Sequence, residues 1–189
     1  MKIVRFTLLA VTMAAVVVTT GLVSGAAAEE GSVKAVATWK GRSFVFPVGP
    51  AEAYLVGVYS GTLYVDDGKG SLHAASIVCP ATAEGDLKKM TRTGQGRCIL
   101  TDEEGNRVYA RFTCTGDMES CRGPFKSVGG TGKFTGITGE GEMISRLEVE
   151  QSTRVIGFDT AEQQGEGVAI WPSLSYKIPS SPNESDQNR

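Results

Sequence analysis

The stretch GGTGKFTGITGEG, residues 129–141, sets six glycines around one lysine, Lys133. Read as a phosphate cradle it makes a nucleotide-binding protein; read as backbone geometry it makes a β protein. A P-loop requires Gly, four residues, then Gly-Lys-Ser/Thr, so that backbone N–H groups wrap the phosphates and the hydroxyl reaches magnesium. Ser127 stands where that first glycine belongs and Phe134 follows Lys133, so both ends of the pattern fail. The dinucleotide pattern GxGxxG, begun at Gly130, ends on Thr135 and lacks the strand-then-helix setting it works in. Glycine in a turn supplies φ > 0, and glycine in a strand marks a bulge or a bend at a barrel corner. Past the turn, Ile137, Met143 and Leu147 share one parity and Glu140, Glu142 and Arg146 the other. The run predicts a tight turn feeding a strongly curled strand.

Working outward, RVYARFTC (107–114) alternates, with Val108, Ala110, Phe112 and Cys114 on one face and Arg107, Tyr109, Arg111 and Thr113 on the other. That is the period of a half-buried strand. GRCILTDEEGN places an acidic, glycine-bearing turn, Asp102 to Asn106, just before it, a hairpin signal. VKAVATW (33–39), AYLVGVYSGTLYV (53–65), LHAASIVC (72–79), the segment around Phe125, the run from Phe134 to Leu147 and VAIWPSLSYKI (168–178) read as further strands. EGDLKKM (84–90) is the only window with a helical stripe, and it is short. Residues 153–167 read as a connecting loop. Many short strands, glycine-rich turns and no alternating helices specify an all-β chain, an antiparallel barrel or sandwich.

The N-terminus carries Lys2 and Arg5, then the uncharged run from Phe6 to Val18, then small residues through Ala28. That order is the layout of a secretory signal peptide cleaved after Ala28. Thr19, Thr20, Gly21, Ser24 and Gly25 dilute the stretch, leaving an apolar core too short for a membrane anchor. The expected organisation is a leader over 1–28, one β-barrel domain over 29–178 and a disordered polar tail over 179–189. No internal repeat is present and a second domain has no room. The product is expected to be secreted or periplasmic, with no stable membrane insertion after cleavage. With 19 Lys and Arg against 21 Asp and Glu and no basic cluster in sequence, nothing attracts a phosphate backbone, and nucleic-acid binding is not expected.

All four cysteines, Cys79, Cys98, Cys114 and Cys121, lie beyond the leader, and an even number in an exported chain reads as disulfides. Four cysteines allow three pairings; Cys114 with Cys121 is the easiest across a hairpin loop, which leaves Cys79 with Cys98. A zinc site lacks its CxxC, and the lone histidine, His73, sits in an apolar strand context, so no metal or cofactor is expected.

GGTGKFTGITG, preceded by CRGPF and by GRCILTDEEGNRVYARFTC, resembles the strand-turn pattern of the allene oxide cyclase-like barrels, relatives of plant dirigent proteins and of many exported bacterial proteins. The resemblance is densest from Gly96 to Gly141, with GVYSGTLYV and AIWPSLSY similar to an earlier and a late strand. It implies an eight-stranded antiparallel closed barrel, here with disulfides, often a homo-oligomer. For the plant cyclases it implies an apolar lumen that folds a fatty-acid epoxide. The matching positions are framework glycines, aromatics and cysteines, so no catalytic residue carries over.

In such a barrel Ala35, Ala37, Trp39, Leu55, Gly57, Tyr59, Gly61 and Leu63 are the expected lumen lining, and Trp39 and Trp171 become neighbours where the sheet closes. Catalytic candidates are poor. Asp66, Asp67, Asp102, Glu103 and Glu104 read as solvated turn charges, Glu140 and Glu142 fall on the polar face, and DEEGN lacks the ligand spacing of an EF-hand. His73 reads as a surface or strand-packing residue rather than a base. The expectation is a non-catalytic barrel acting through its outer surface in an envelope, matrix or assembly role. The alternatives are a carrier of a small apolar ligand such as a lipid or isoprenoid, and a cyclase or isomerase acting on a lipid-derived epoxide.

Overall fold

A computed structural model describes residues 28–157 and 159–180. The expected leader, apart from Ala28, and the expected tail beyond Ser180 lie outside the described residues. Eight strands follow one another: β1 (Glu29–Gly49), β2 (Glu52–Val65), β3 (Ala75–Asp86), β4 (Thr91–Thr101), β5 (Arg107–Asp117), β6 (Ser120–Gly130), β7 (Thr138–Gly157) and β8 (Thr160–Ile178). Each pairs antiparallel with the next, and β8 returns to β1 to close a barrel. Closure pairs Ala35 with Trp171, Ala37 with Ala169 and Trp39 with Gly167. Trp39 and Trp171 therefore flank the same seam.

The parities read from the sequence set what points inward. Val108, Ala110 and Cys114 of β5 are buried while Arg107 and Arg111 are exposed, the alternation that a one-sided sheet imposes. One end of the barrel is packed solid: Leu63, Leu100, Val108, Phe134, Ile137 and Trp171 are all buried there. Phe125 and Trp171 meet edge to face at 5.2 Å between ring centroids, the geometry that aromatic quadrupoles favour.

The glycine run supplies the plug for that end. Gly132–Phe134 forms a single 3-10 turn between β6 and β7, and it drives Phe134 into the core with Ile137 behind it. Gly132 has φ +56, and a Cβ there would collide with the side-chain oxygen of Asn106, so only glycine fits. Lys133 is fully occupied within the chain. Its Nζ lies 2.9 Å from Asp102 Oδ2 and 3.0 Å from Glu104 Oε2. Asp102 also accepts from the backbone N–H groups of Glu104 at 3.0 Å and Asn106 at 2.8 Å. The 102–106 turn is thereby clamped to the glycine turn.

Several elements differ from the sequence reading. Residues 153–167 are not a loop: β7 and β8 continue as a ribbon, with Arg154 opposite Glu162 and Val155 opposite Ala161, and β1 backs it by pairing Arg42 to Val45 with 161–164. Ladder hydrogen bonds hold it despite three register shifts that scramble its alternation. EGDLKKM is the end of β3 and a turn rather than a helix; Asp86 Oδ1 accepts from the N–H groups of Lys88 and Lys89, both at 3.0 Å. His73 sits in the turn before β3, where its Nδ1 accepts from Val65 N at 3.3 Å. Asp102 is buried rather than solvated, its side chain 1% exposed.

Two disulfides tie neighbouring walls, Cys79–Cys98 across β3 and β4 and Cys114–Cys121 across β5 and β6. Chain-entropy arguments assign about 2 kcal/mol to the shorter loop and about 3 kcal/mol to the longer. Cys79→Ala with Cys98→Ala should therefore lower the thermal midpoint more than the Cys114, Cys121 double replacement, and a reductant should erase the difference between either variant and the parent. Burial pushes the Asp102 carboxyl up, but hydrogen bonds from Lys133 and Asn106 outweigh it and hold it at about 2 against an ordinary 3.8. A carboxyl so depressed stabilises the fold above its unfolded value, and that contribution disappears as the pH falls toward the folded one. Thermal scans of Asp102→Asn between pH 4 and 2 should show a flatter decline than the parent.

Candidate functional site

An eight-stranded barrel is just wide enough for side chains to fill it, so small inward residues leave space. Toward the end opposite the plug, Ser43, Ala53, Ala81, Ala83, Gly85 and Gly94 occupy inward positions. They leave a cavity of about 390 Å³, within the roughly 300–1,000 Å³ of small-molecule sites. Trp39, Trp171 and the Cys79–Cys98 disulfide line its inner part, and the Cys114–Cys121 disulfide with Leu55, Leu87, Met118 and Leu147 lines the part toward the turns that join β1 to β2, β3 to β4 and β5 to β6.

Of the residues expected to line the lumen, Ala37, Trp39, Leu55 and Tyr59 face this cavity. Ala35 and Leu63 are only 2% exposed and belong to the packed half. At Gly61 a Cβ would collide with the carbonyl oxygen of Thr38, and Gly57 packs against Ser43. These two glycines let β2 lie close against β1 rather than enlarging the space.

Most of the lining surface is apolar, but Ser43, Tyr59, Thr82, Arg92, Gln163 and Gln164 are among its polar residues. Tyr59 meets Trp39 edge to face at 5.3 Å; burial raises its phenol above the ordinary value, partly offset by a hydrogen bond with Ser43. Arg92 is the one charged residue among the described lining. Burial lowers its guanidinium somewhat, opposed by Tyr59 and Asp117. Among the described residues, three buried side-chain donors have no hydrogen-bond partner, Trp39 Nε1, Trp171 Nε1 and Arg92 Nε, and all three residues line the cavity. Buried donors are ordinarily satisfied, so three unsatisfied ones carried by residues of one cavity wall set that wall apart, although the donor atoms themselves are covered. Sequence reasoning missed Arg92, although its parity was legible: counting back in twos from Leu100 through Cys98, Gly96 and Gly94 reaches it.

Carboxylates lie elsewhere. Glu162 is 7% exposed but points away from the lumen to Arg42, whose Nε is 2.6 Å from its Oε1; the Arg42 hydrogen bond lowers its carboxyl. Asp66 and Asp67 occupy the turn after β2. Glu140 and Glu142 face outward toward Lys126 at 3.5 Å and Arg122 at 3.7 Å. His73 is in its turn, against Tyr64. None of these converges on the cavity.

The outer wall of β1 to β6 forms a second, shallow groove of about 1,100 Å³, bordered by Phe44, Val58 and Pro80 and by Arg97, Arg111 and Lys126. Those three cations stand in one row, with Arg97 opposite Arg111 and Arg111 opposite Lys126. Compared with known proteins, the chain matches no family model and no curated protein.

Like charges directly opposite one another on a sheet are destabilising, by tenths of a kcal/mol. Arg111→Gln should therefore raise stability by about 0.5 kcal/mol at low salt. Denaturation in about 1 M salt, where the Debye length is near 3 Å, should show most of that gain gone.

Proposed function

We propose that this barrel carries a small, mainly apolar molecule, such as a lipid or isoprenoid, in the open half of its lumen. The observation that carries the reading is the uneven filling of the interior: one half packed to completion, the other left as an apolar cavity. Folding normally removes such space, because unfilled volume forfeits dispersion contacts and costs stability. A barrel acting only through its outer surface, as in an envelope, matrix or assembly role, has no use for a hollow half. A cyclase or isomerase working by acid–base chemistry requires a tuned proton donor or acceptor at the substrate. The described lining offers Tyr59 and Arg92 for that task, and carriage asks less of it.

The same proposal includes export through a leader cleaved after Ala28 and kinship with the allene oxide cyclase-like barrels. In support, the two disulfides fit an oxidising compartment, and the closed barrel of eight strands is the architecture that the resemblance implies.

Native mass spectrometry of the protein purified from its producing cells should show a small-molecule adduct that organic extraction releases. A single unliganded mass, unmoved by added fatty acids, would overturn carriage.

A further inference from the structure

The carrier reading leaves open what kind of molecule fits, and the polar groups of the lumen narrow it. We infer that the cargo is an amphiphile with an anionic head, a carboxylate in the simplest case, seated at Arg92, with its apolar body running inward toward Trp39 and Trp171. This inference rests on the carrier reading and adds the head group to it.

Three observations converge. The first is that Arg92 is the one charge among the described residues of an otherwise neutral wall. A guanidinium taken partly out of water is stabilised by an anion that pairs with it. The second is that no carboxylate among the described residues does so: none of their ion pairs includes Arg92, and its Nε is buried without a partner among them. Asp117, whose charge acts on Arg92 without pairing with it, spends Oδ1 on the backbone N–H groups of Glu119 at 2.9 Å and Ser120 at 2.6 Å, and takes the Ser120 hydroxyl as well. Glu52, Glu84 and Asp86 border a polar groove that Arg92 also touches, but Asp86 is held by Lys89 at 2.8 Å and none of the three pairs with Arg92. The third is position. Arg92 is the second residue of β4, hard against the turn after β3, in the part of the cavity that Leu87 and Met118 also line, whereas the tryptophans lie deeper along the strands. A cation at the entrance and an apolar chamber behind it match a molecule that enters tail first and leaves its charge at the rim. A cargo charged at its inner end finds no second cation among the described lining.

The chain's two tryptophans both line the cavity, so intrinsic fluorescence reports occupancy directly. The full mature chain is titrated with dodecanoate, methyl dodecanoate and dodecanol, each below its aggregation limit, and the same series is repeated on Arg92→Met and Arg92→Lys. A hydrogen-bonded charge is worth a factor of about 10 to 100 in affinity. Dodecanoate should therefore bind at least tenfold more tightly than its ester or alcohol, Arg92→Met should bring the three together, and Arg92→Lys should restore part of the preference. Equal binding of all three probes by the parent overturns the anionic head and leaves carriage intact. A preference that survives in Arg92→Met overturns Arg92 as its seat. Binding of none of the three overturns carriage itself, and the inference falls with it. Because the parent alone separates the probes, the test does not depend on either variant folding.

Discussion

The ladder between β1 and β8 is the constraint on which everything else in this protein depends, because it is what converts a curled sheet, with two unpaired edges, into a closed wall with an inside. Its register runs from Glu29 opposite Ile178 to Val45 opposite Ala161, nearly the whole of both strands. An open sheet of this length would present two rows of free N–H and C=O groups to solvent and to other chains. Closure removes both rows and gives each strand's alternation a definite meaning, one parity lumen and the other surface. It depends in turn on close approach of backbones. Where Gly61 passes Thr38 a single methyl group would separate the strands, so β1 is held between β2 on one side and β8 on the other by residues chosen for what they lack.

Given a closed wall, the division of the lumen follows from side-chain volume. Phe134, Ile137, Leu63 and Leu100 fill one end, while serine, alanine and glycine leave the other hollow. A hollow half deprives its walls of packing partners, and the disulfides sit where that loss falls. Both line the cavity, and each joins adjacent strands of its wall. Covalent ties between β3 and β4 and between β5 and β6 thus stand in for the core contacts that a filled barrel would make there. The arrangement permits a cavity in a small domain whose apolar core alone would otherwise have to hold the walls together.

Charge is distributed on the same logic. At the packed end one lysine bridges an aspartate and a glutamate around the turn that seats Phe134. On the outer face Arg97, Arg111 and Lys126 lie side by side with opposite charge arriving only at Glu140, beyond Lys126. Inside, Arg92 is the one charged side chain among the described residues that line a mainly apolar space. The first arrangement is a structural clamp, the second a local cost on the sheet, and the third the feature from which a ligand's chemistry can be read.

How much of this was legible in the chain itself follows from which interactions are local. The strand alternation, the failure of both nucleotide motifs, the turn at 102–106 and the short loop between Cys114 and Cys121 all depend on neighbours a few residues apart, and reading them led to the all-β fold. The ribbon at 153–167 escaped because its register shifts destroy the period on which such reading relies, and its partners in β1 are more than a hundred positions away in the chain. Asp102 passed for a solvated turn charge because the lysine that buries and balances it arrives with the glycine turn. The lumen was legible only in part: of the eight residues read as its lining, Ala37, Trp39, Leu55 and Tyr59 face the cavity and the others do not. Whether Ala37 or Gly57 borders empty space depends on the volumes of residues brought opposite from other strands, and Arg92, though its parity was readable, becomes a solitary charge only once the wall has closed around it. One-dimensional pattern determines which face a side chain takes; only the closed barrel decides what that face meets, because packing sums contributions from every strand at once.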